Sequence, residues 1–160
     1  MKNYIKLIIS ILIPLAIGYF SSFFNLNAIP TWYATLNKPF FNPPNWIFGP
    51  VWTILYVLIG ISIYLVWTSK AKIKSEKQRK KKAYYIFAIQ LILNFLWTVL
   101  FFGLNLILPA LIEIILLWFA ILINIIFVYK ISKTSSYLLI PYFLWVSFAT
   151  LLNIYFLILN

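Results

Sequence analysis

The stretch LILPALIEIILLWFAILINIIFVY at residues 106–129 decides the fold of this chain, because it is long, apolar and carries one charged side chain, Glu113. An α-helix rises about 1.5 Å per residue, so about 20 residues cross the hydrocarbon core of a bilayer. Further apolar runs of similar length lie at 5–24, 48–67, 84–102 and 137–159. Because the backbone finds no water inside a bilayer, each run must be helical. The sequence therefore predicts an all-α integral membrane protein, a bundle of five transmembrane helices forming one domain over residues 1–160.

The composition supports this fold class and excludes several kinds of chemistry. The chain is 64% hydrophobic and 9% charged, whereas a soluble domain has about 25% charged residues. It has no Cys and no His, and its two carboxylates are Glu76 and Glu113. Disulfides, thiolate catalysis, a Ser-His-Asp triad and a His- or Cys-based metal site are therefore excluded. We expect no metal and no acid–base enzyme.

The basic residues predict the orientation of the bundle. One side of a five-span arrangement carries Lys2, Lys6, Lys70, Lys72, Lys74, Lys77, Arg79, Lys80, Lys81, Lys82, Lys130 and Lys133, and the other side carries Lys38. The positive-inside rule then places the N-terminus and a basic loop at about 69–83 in the cytoplasm, with the plasma membrane as the location in a prokaryotic host. This asymmetry and attraction to anionic membrane lipids account for the net charge of +11, so no nucleic acid is expected as a partner.

The connection between the first two runs, at about 25–47, is unusually long and rich in aromatic residues and prolines. Residues 32–52 read WYATLNKPFFNPPNWIFGPVW. Each proline fixes φ near −65°, and loops of this length are commonly functional lids. We interpret the segment as a lid over a binding site. The alternative is an interfacial aromatic belt that only anchors the fold.

Polar and aromatic side chains recur at helical spacing inside the runs. Three faces stand out: Gln90, Asn94, Trp97, Thr98 and Phe101; Trp52, Tyr56, Gly60, Tyr64 and Trp67; and Tyr142, Trp145, Ala149, Leu152 and Asn153. Flat rings beside a few polar groups are typical of a site for a planar, largely apolar ligand. Gly60 and Ala149 either make room for it or allow close helix contact. Glu113 shares a face with Asn124 and is either a carboxyl near the outer interface or a cavity-lining group. Pro14 predicts a kink in the first run.

These residues carry a resemblance to a known family. Three segments resemble the TspO/MBR family of tryptophan-rich sensory proteins and translocator proteins. They are Trp32-Tyr33…Leu36-Asn37-Lys38-Pro39…Pro43-Pro44…Val51-Trp52…Leu55-Tyr56, Gln90-Leu91…Asn94…Trp97…Phe101-Phe102-Gly103 and Leu139-Ile140-Pro141-Tyr142…Trp145…Ala149-Thr150…Leu152-Asn153. The resemblance implies a five-helix bundle, often a homodimer, that binds porphyrins such as protoporphyrin IX, or other lipophilic molecules, under the first loop. It implies a cavity lined by Tyr33, Pro43, Trp52, Asn94, Trp97, Glu113, Trp145 and Ala149.

The resemblance leaves several functions open. A membrane receptor or sensor for tetrapyrroles is the first. Light-dependent porphyrin degradation, with Trp52 and Trp145 as redox partners of the excited ring, is the second. A transporter is the third, although the inverted repeat common in transporters is missing, and a protein-interaction role of the basic loop is the fourth. Sterol binding is less expected, because no Lys or Arg follows Tyr155 in the last run.

Overall fold

The computed structural model describes residues 2–70 and 73–160, and the helices within them account for almost all of the chain. Their order is α1 (Asn3–Ala28), α2 (Trp32–Thr35), α3 (Asn45–Thr68), α4 (Lys74–Thr98), α5 (Ile107–Tyr129), α6 (Lys133–Tyr137) and α7 (Ile140–Leu159). Five helical segments, built from α1, α3, α4, α5 and α6–α7, are long and apolar enough to cross a membrane. The predicted all-α, five-span architecture is confirmed, and the chain is a multi-pass integral membrane protein.

The spanning helices pack in a closed ring in the order α1, α3, α7, α5, α4, with α4 returning to α1. One half of the ring is filled by apolar side chains, among them the fully buried Ile59, Val66, Ile121 and Val146. Large apolar side chains such as Ile123 point outward, as a lipid-facing surface requires.

Gly60 allows α1 and α3 to approach closely, which resolves one of the two alternatives left by the sequence. A Cβ atom at Gly60 would lie 2.6 Å from the Cα of Ile11 and 2.8 Å from the carbonyl oxygen of Ser10. Small residues at helix interfaces permit this kind of backbone contact in membranes. Gly60 therefore serves helix packing, whereas Ala149 lines a cavity described below.

The basic segment differs from the predicted loop at 69–83. α4 begins at Lys74, so Lys74, Lys77, Arg79, Lys80, Lys81 and Lys82 lie on a helix. Lys, Arg, Glu and Gln are good helix formers, so α4 extends beyond its apolar part. Lys72 lies outside the described residues.

Contacts gather the basic residues at one end of the bundle, as the five-span arrangement predicts. The Lys80 Nζ donates hydrogen bonds to the carbonyl oxygens of Trp67 (2.9 Å) and Ser69 (2.8 Å). The Lys6 Nζ lies 6.0 Å from the centroid of the Trp67 ring. We call this end of the bundle, which also holds Lys130, the basic end.

Three prolines lie where a helix begins, whereas Pro50, expected at the entry of the second run, lies inside α3. Pro44 immediately precedes α3, Pro109 lies in the first turn of α5, and Pro141 is the second residue of α7. Proline is tolerated there because its missing N–H has no partner within the first helical turn. Pro14 lies inside α1, which continues past it to Ala28. The kink expected at Pro14 stays a prediction.

A π-helical turn, Val99–Gly103, continues α4 at the end opposite the basic residues. It is closed by a hydrogen bond from the Leu104 N–H to the Val99 carbonyl oxygen at 2.8 Å. Asn105 then adopts φ of 59°, a left-handed conformation that Asn tolerates better than most residues. Such turns widen the helix locally and are frequent at functional sites. Here the turn presents Phe101 and Phe102 to the cavity.

Candidate functional site

A cavity of about 540 Å³ occupies the half of the bundle that faces away from the basic end. It is lined by α1 from Leu15 onward, by α3 as far as Tyr56, by α4 and its π-helical turn from Trp97, and by α7 from Trp145. Tyr33 of α2 contributes from the first loop. The volume lies within the range of about 300–1,000 Å³ typical of small-molecule sites.

Aromatic residues make up 11 of the 25 described residues on the cavity wall. The ring of Trp52 stacks on Tyr56 with centroids 5.6 Å apart, and Trp97 stacks on Phe101 at 5.4 Å with the planes only 14° apart. Trp145 makes an edge contact with Phe48 at 6.2 Å. These rings offer flat, rigid, apolar faces and lose little conformational freedom when a planar molecule binds.

The first loop, residues 29–44, packs across the end of the cavity. Tyr33 is buried against Phe102 and Phe156, with ring centroids 5.7 and 5.5 Å away. Its hydroxyl donates to the Asn42 Oδ1 at 2.8 Å, so α2 is tied to the extended part of the loop. Burial raises the pKa of Tyr33 above its ordinary value, which keeps the hydroxyl a neutral hydrogen-bond donor.

A polar clasp joins the first loop to the end of α7. The Asn37 backbone N–H donates to the Asn160 Oδ1 at 2.9 Å, and the Asn160 Nδ2 donates to the Asn37 carbonyl oxygen at 3.2 Å. The Asn37 Nδ2 also donates to the Leu159 carbonyl oxygen at 3.1 Å. We call these three hydrogen bonds the Asn37–Asn160 clasp. Because they are exposed to solvent, each contributes little and can open readily.

The cavity reaches the molecular surface between α1 and α3, near the first loop. Leu26 of α1 and Trp46 of α3 line it and are also largely exposed, at 69% and 73%. An apolar molecule could therefore reach the cavity from the bilayer side of these helices.

Five of the eight predicted site residues lie on the cavity wall: Tyr33, Trp52, Trp97, Trp145 and Ala149. They come from α2, α3, α4 and α7, so the fold brings together residues that are far apart in sequence. Whether they bind a ligand stays a prediction.

Asn94 does not line the cavity, contrary to the expectation, because Tyr56 stands in front of it. The Tyr56 hydroxyl donates to the Asn94 Oδ1, and the Asn94 Nδ2 donates to the Tyr142 hydroxyl at 3.2 Å. All three side chains are almost fully buried. They form a polar layer at the bottom of the cavity, which we call the Asn94 layer.

Glu113 and Pro43 also lie off the cavity wall. Glu113 belongs to α5, and no residue of α5 among those described lines the cavity. It is 4% exposed, so it is neither a water-exposed interfacial carboxyl nor a lining one. Both of its oxygens lack a hydrogen-bond partner among the described residues. Pro43 lies outside the wall, and its carbonyl oxygen accepts from the Asn42 Nδ2 at 3.1 Å.

The other predictions about buried faces are confirmed in part. Gln90, Asn94, Thr98 and Phe101 of the third run are buried, as are Glu113 and Asn124 of the fourth. Asn153 of α7 accepts from the Trp97 Nε1 at 3.1 Å and donates to the Ile107 carbonyl oxygen at 3.1 Å. This bridge fixes one indole of the cavity wall between α4, α5 and α7.

The sequence analysis missed the contribution of α1. Gly18, Ser21, Ser22 and Asn25 line the cavity. Small and polar residues at positions i, i+3, i+4 and i+7 mark one face of a helix, and this pattern could have identified them. Among the described residues, the Asn25 Oδ1 is buried and has no hydrogen-bond partner.

Known proteins are similar to this chain over most of its length. A model of the TspO/MBR family matches residues 10–159. The tryptophan-rich protein TspO of Archaeoglobus fulgidus is 48% identical over 158 residues, which cover 99% of each chain. The translocator protein of Homo sapiens is 35% identical over 122 residues, 76% of this chain and 70% of the human one. The tryptophan-rich sensory protein of Cereibacter sphaeroides is 33% identical over 122 residues, 76% and 72% of the two chains.

Proposed function

The chain belongs to the TspO/MBR family, and we propose that it is a membrane receptor or sensor that binds porphyrins in the aromatic cavity beneath its first loop. The observation that supports this most directly is the cavity itself, with Trp52, Trp97 and Trp145 on its walls. A planar macrocycle needs flat apolar faces and few polar contacts, and the cavity offers both.

Burial of apolar area would supply most of the affinity. Each Å² removed from water contributes about 25 cal/mol before the costs of ordering the ligand and the loop. Three amides lie on the wall and could orient polar edges of the ligand: Asn25, Asn45 and Asn153. The resemblance also implies Asn94 and Glu113 as lining residues, but neither lies on the cavity wall.

The lack of residues that commonly coordinate haem iron favours a metal-free porphyrin as the ligand. Haem gains affinity from axial ligands such as His, Cys or Met, and this chain has no His or Cys and a single Met at position 1. We therefore expect protoporphyrin IX to bind at least as tightly as haem. A six-coordinate haem spectrum with much tighter binding would contradict this.

The test is a titration of the detergent-purified protein with protoporphyrin IX, followed by tryptophan quenching. Trp145→Ala removes one wall of the cavity and should weaken binding at least about fivefold, because an aromatic contact contributes about 1 kcal/mol beyond its buried area. Trp67→Ala, at the basic end, is the matched control and should bind like the unchanged protein. If the two variants bind protoporphyrin IX with equal affinity, with the fold intact by circular dichroism, the proposal is wrong.

A second candidate function is light-dependent porphyrin degradation. Trp52 and Trp145 both lie on the cavity wall, where an excited ring could exchange an electron with an indole. Illumination of the porphyrin complex should then bleach it, and the Trp52→Phe, Trp145→Phe double variant should bleach more slowly. Bleaching at the same rate in both proteins would contradict light-dependent degradation by these tryptophans and would leave the receptor role as the one proposal.

We also propose that the basic end faces the cytoplasm, in the plasma membrane of a prokaryotic host. The gathering of Lys6, Lys80 and Lys130 at one end supports this orientation by the positive-inside rule. The first loop and the mouth of the cavity would then face outward. A homodimer is a further expectation from the family.

A further inference from the structure

A second, smaller pocket lies at the basic end, on the opposite side of the bundle from the aromatic cavity. Its volume is about 80 Å³, and its walls include four cationic side chains and one carboxylate: Lys70, Arg79, Lys80, Lys130 and Glu76. They come from the segment after α3, the first turns of α4 and the residue that follows α5. A water molecule takes about 30 Å³ of liquid volume, so the pocket admits a group of several heavy atoms.

Lys80 holds this pocket in shape. Its Nζ donates to the carbonyl oxygens of Trp67 and Ser69, which fixes the end of α3 against α4. An ammonium group has three N–H donors, so one remains for a ligand. Arg79 is half-buried beside it and has the five donors of a guanidinium group.

The charge balance of the pocket favours an anion. Four positive side chains face one negative side chain, Glu76, whose Oε2 accepts a hydrogen bond from the Ile73 N–H at 3.3 Å. Positive charges that line one pocket of about 80 Å³ repel one another, and an oxyanion between them relieves the repulsion. Because Arg79 and Lys80 are half-buried, salt screens them less than it screens fully exposed lysines.

We propose that this pocket binds a phosphate group. Arg79 would bind two of its oxygens in the bidentate manner of guanidinium groups, while Lys70 and Lys130 act as point charges. The phosphate could belong to the headgroup of an anionic lipid, since basic pockets between spanning helices bind such headgroups, or to free phosphate in solution. In both cases the recognised chemistry is the same.

The first experiment counts bound lipid by native mass spectrometry of the purified protein. Phosphatidylglycerol is added to the unchanged protein, to Arg79→Gln/Lys130→Gln and to the control Lys81→Gln/Lys82→Gln. Each double variant loses two positive charges at the basic end. Arg79 and Lys130 line the pocket, whereas Lys81 and Lys82 do not. We expect the apparent Kd to rise about tenfold in the first variant and less than about threefold in the control.

The second experiment separates the two sources of phosphate. A bound ligand raises the unfolding temperature, so the shift is measured with phosphatidylglycerol, with phosphatidylcholine and with millimolar inorganic phosphate. A shift with phosphatidylglycerol alone assigns the pocket to lipid, and a shift with inorganic phosphate assigns it to a soluble ligand. Either shift should be lost in Arg79→Gln/Lys130→Gln.

Two results would overturn the proposal. Equal weakening in the two double variants would mean diffuse attraction between a basic surface and anions. No shift with phosphatidylglycerol beyond that with phosphatidylcholine, together with none from inorganic phosphate, would mean that the pocket does not select an anionic phosphate. If Arg79→Gln/Lys130→Gln does not fold, the single variant Lys130→Gln, at an exposed position, replaces it, with Lys81→Gln as its control.

Discussion

Gly60 sets the distance between α1 and α3, and its substitution should lower stability. In Gly60→Ala the new methyl group would meet the backbone of Ile11 and Ser10, which cannot move without separating the helices. Overpacking of this kind costs about 1–3 kcal/mol, which thermal unfolding in detergent would register as a lower Tm. Gly49→Ala is the control, because no atom lies within 4 Å of its new Cβ. Equal Tm values for the two variants would contradict the close contact.

Asn94 should matter for stability more than for ligand binding. In Asn94→Ala the buried hydroxyls of Tyr56 and Tyr142 lose their shared partner, and each unsatisfied buried group costs about 1–3 kcal/mol. We expect a lower Tm and a porphyrin Kd within about threefold of the unchanged protein. Asn27→Ala, an exposed change on α1, should alter neither. A Kd that rises tenfold in a folded Asn94→Ala protein would place the amide in contact with the ligand.

The sequence predicted which side chains are buried better than it predicted what they face. Periodicity places Asn94 and Trp97 on one face of a helix, and both lie inside the ring of helices. Whether such a side chain reaches the cavity depends on its neighbours from other helices, here Tyr56 of α3 in front of Asn94. Such information is tertiary and absent from periodicity. The family resemblance implies Asn94 and Glu113 on the wall, where the structure does not have them, and Ser21 and Asn25 were missed.

The Asn37–Asn160 clasp should control how fast the first loop opens. Asn160→Ala removes two of its hydrogen bonds and leaves the cavity wall unchanged. We expect porphyrin to bind and leave faster, by about two- to fivefold, with a smaller change in Kd, as stopped-flow tryptophan quenching would measure. Asn27→Ala again serves as the control, because its bond lies within α1. Unchanged rates in Asn160→Ala would show that the loop does not gate entry.

Helix ends were harder to predict than helix cores. Apolar runs indicate which part of each helix crosses the bilayer, because charged side chains are excluded from the hydrocarbon core. They say nothing about the water-exposed turns beyond it, so Lys74–Lys82 was expected in a loop although its residue types favour a helix. The first loop was predicted in place, but α1 and α3 extend into the expected range 25–47 and leave residues 29–44. Its short helix α2 was not predicted, and Tyr33 of α2 packs on Phe101, Phe102 and Phe156.

The orientation of the whole bundle can be tested directly, because the chain has no cysteine. Phe40→Cys lies in the first loop at a fully exposed position, and Lys77→Cys lies on the basic part of α4. In intact cells a membrane-impermeant maleimide should label the first variant and not the second. After the cells are broken, both should react. Labelling of Lys77→Cys alone in intact cells would reverse the proposed orientation.

The cavity fills one half of the bundle, and packed apolar side chains such as Ile59 and Ile121 fill the other. The cavity is thus closed where it meets the packed half, and it opens near the first loop. A ligand that enters through this opening exchanges with the bilayer beside α1 and α3, because packed side chains close the other half of the bundle. Under the proposed function, binding would follow the concentration of the ligand without consuming it. Net passage across the membrane would require the Asn94 layer to come apart and the packed half to hollow out.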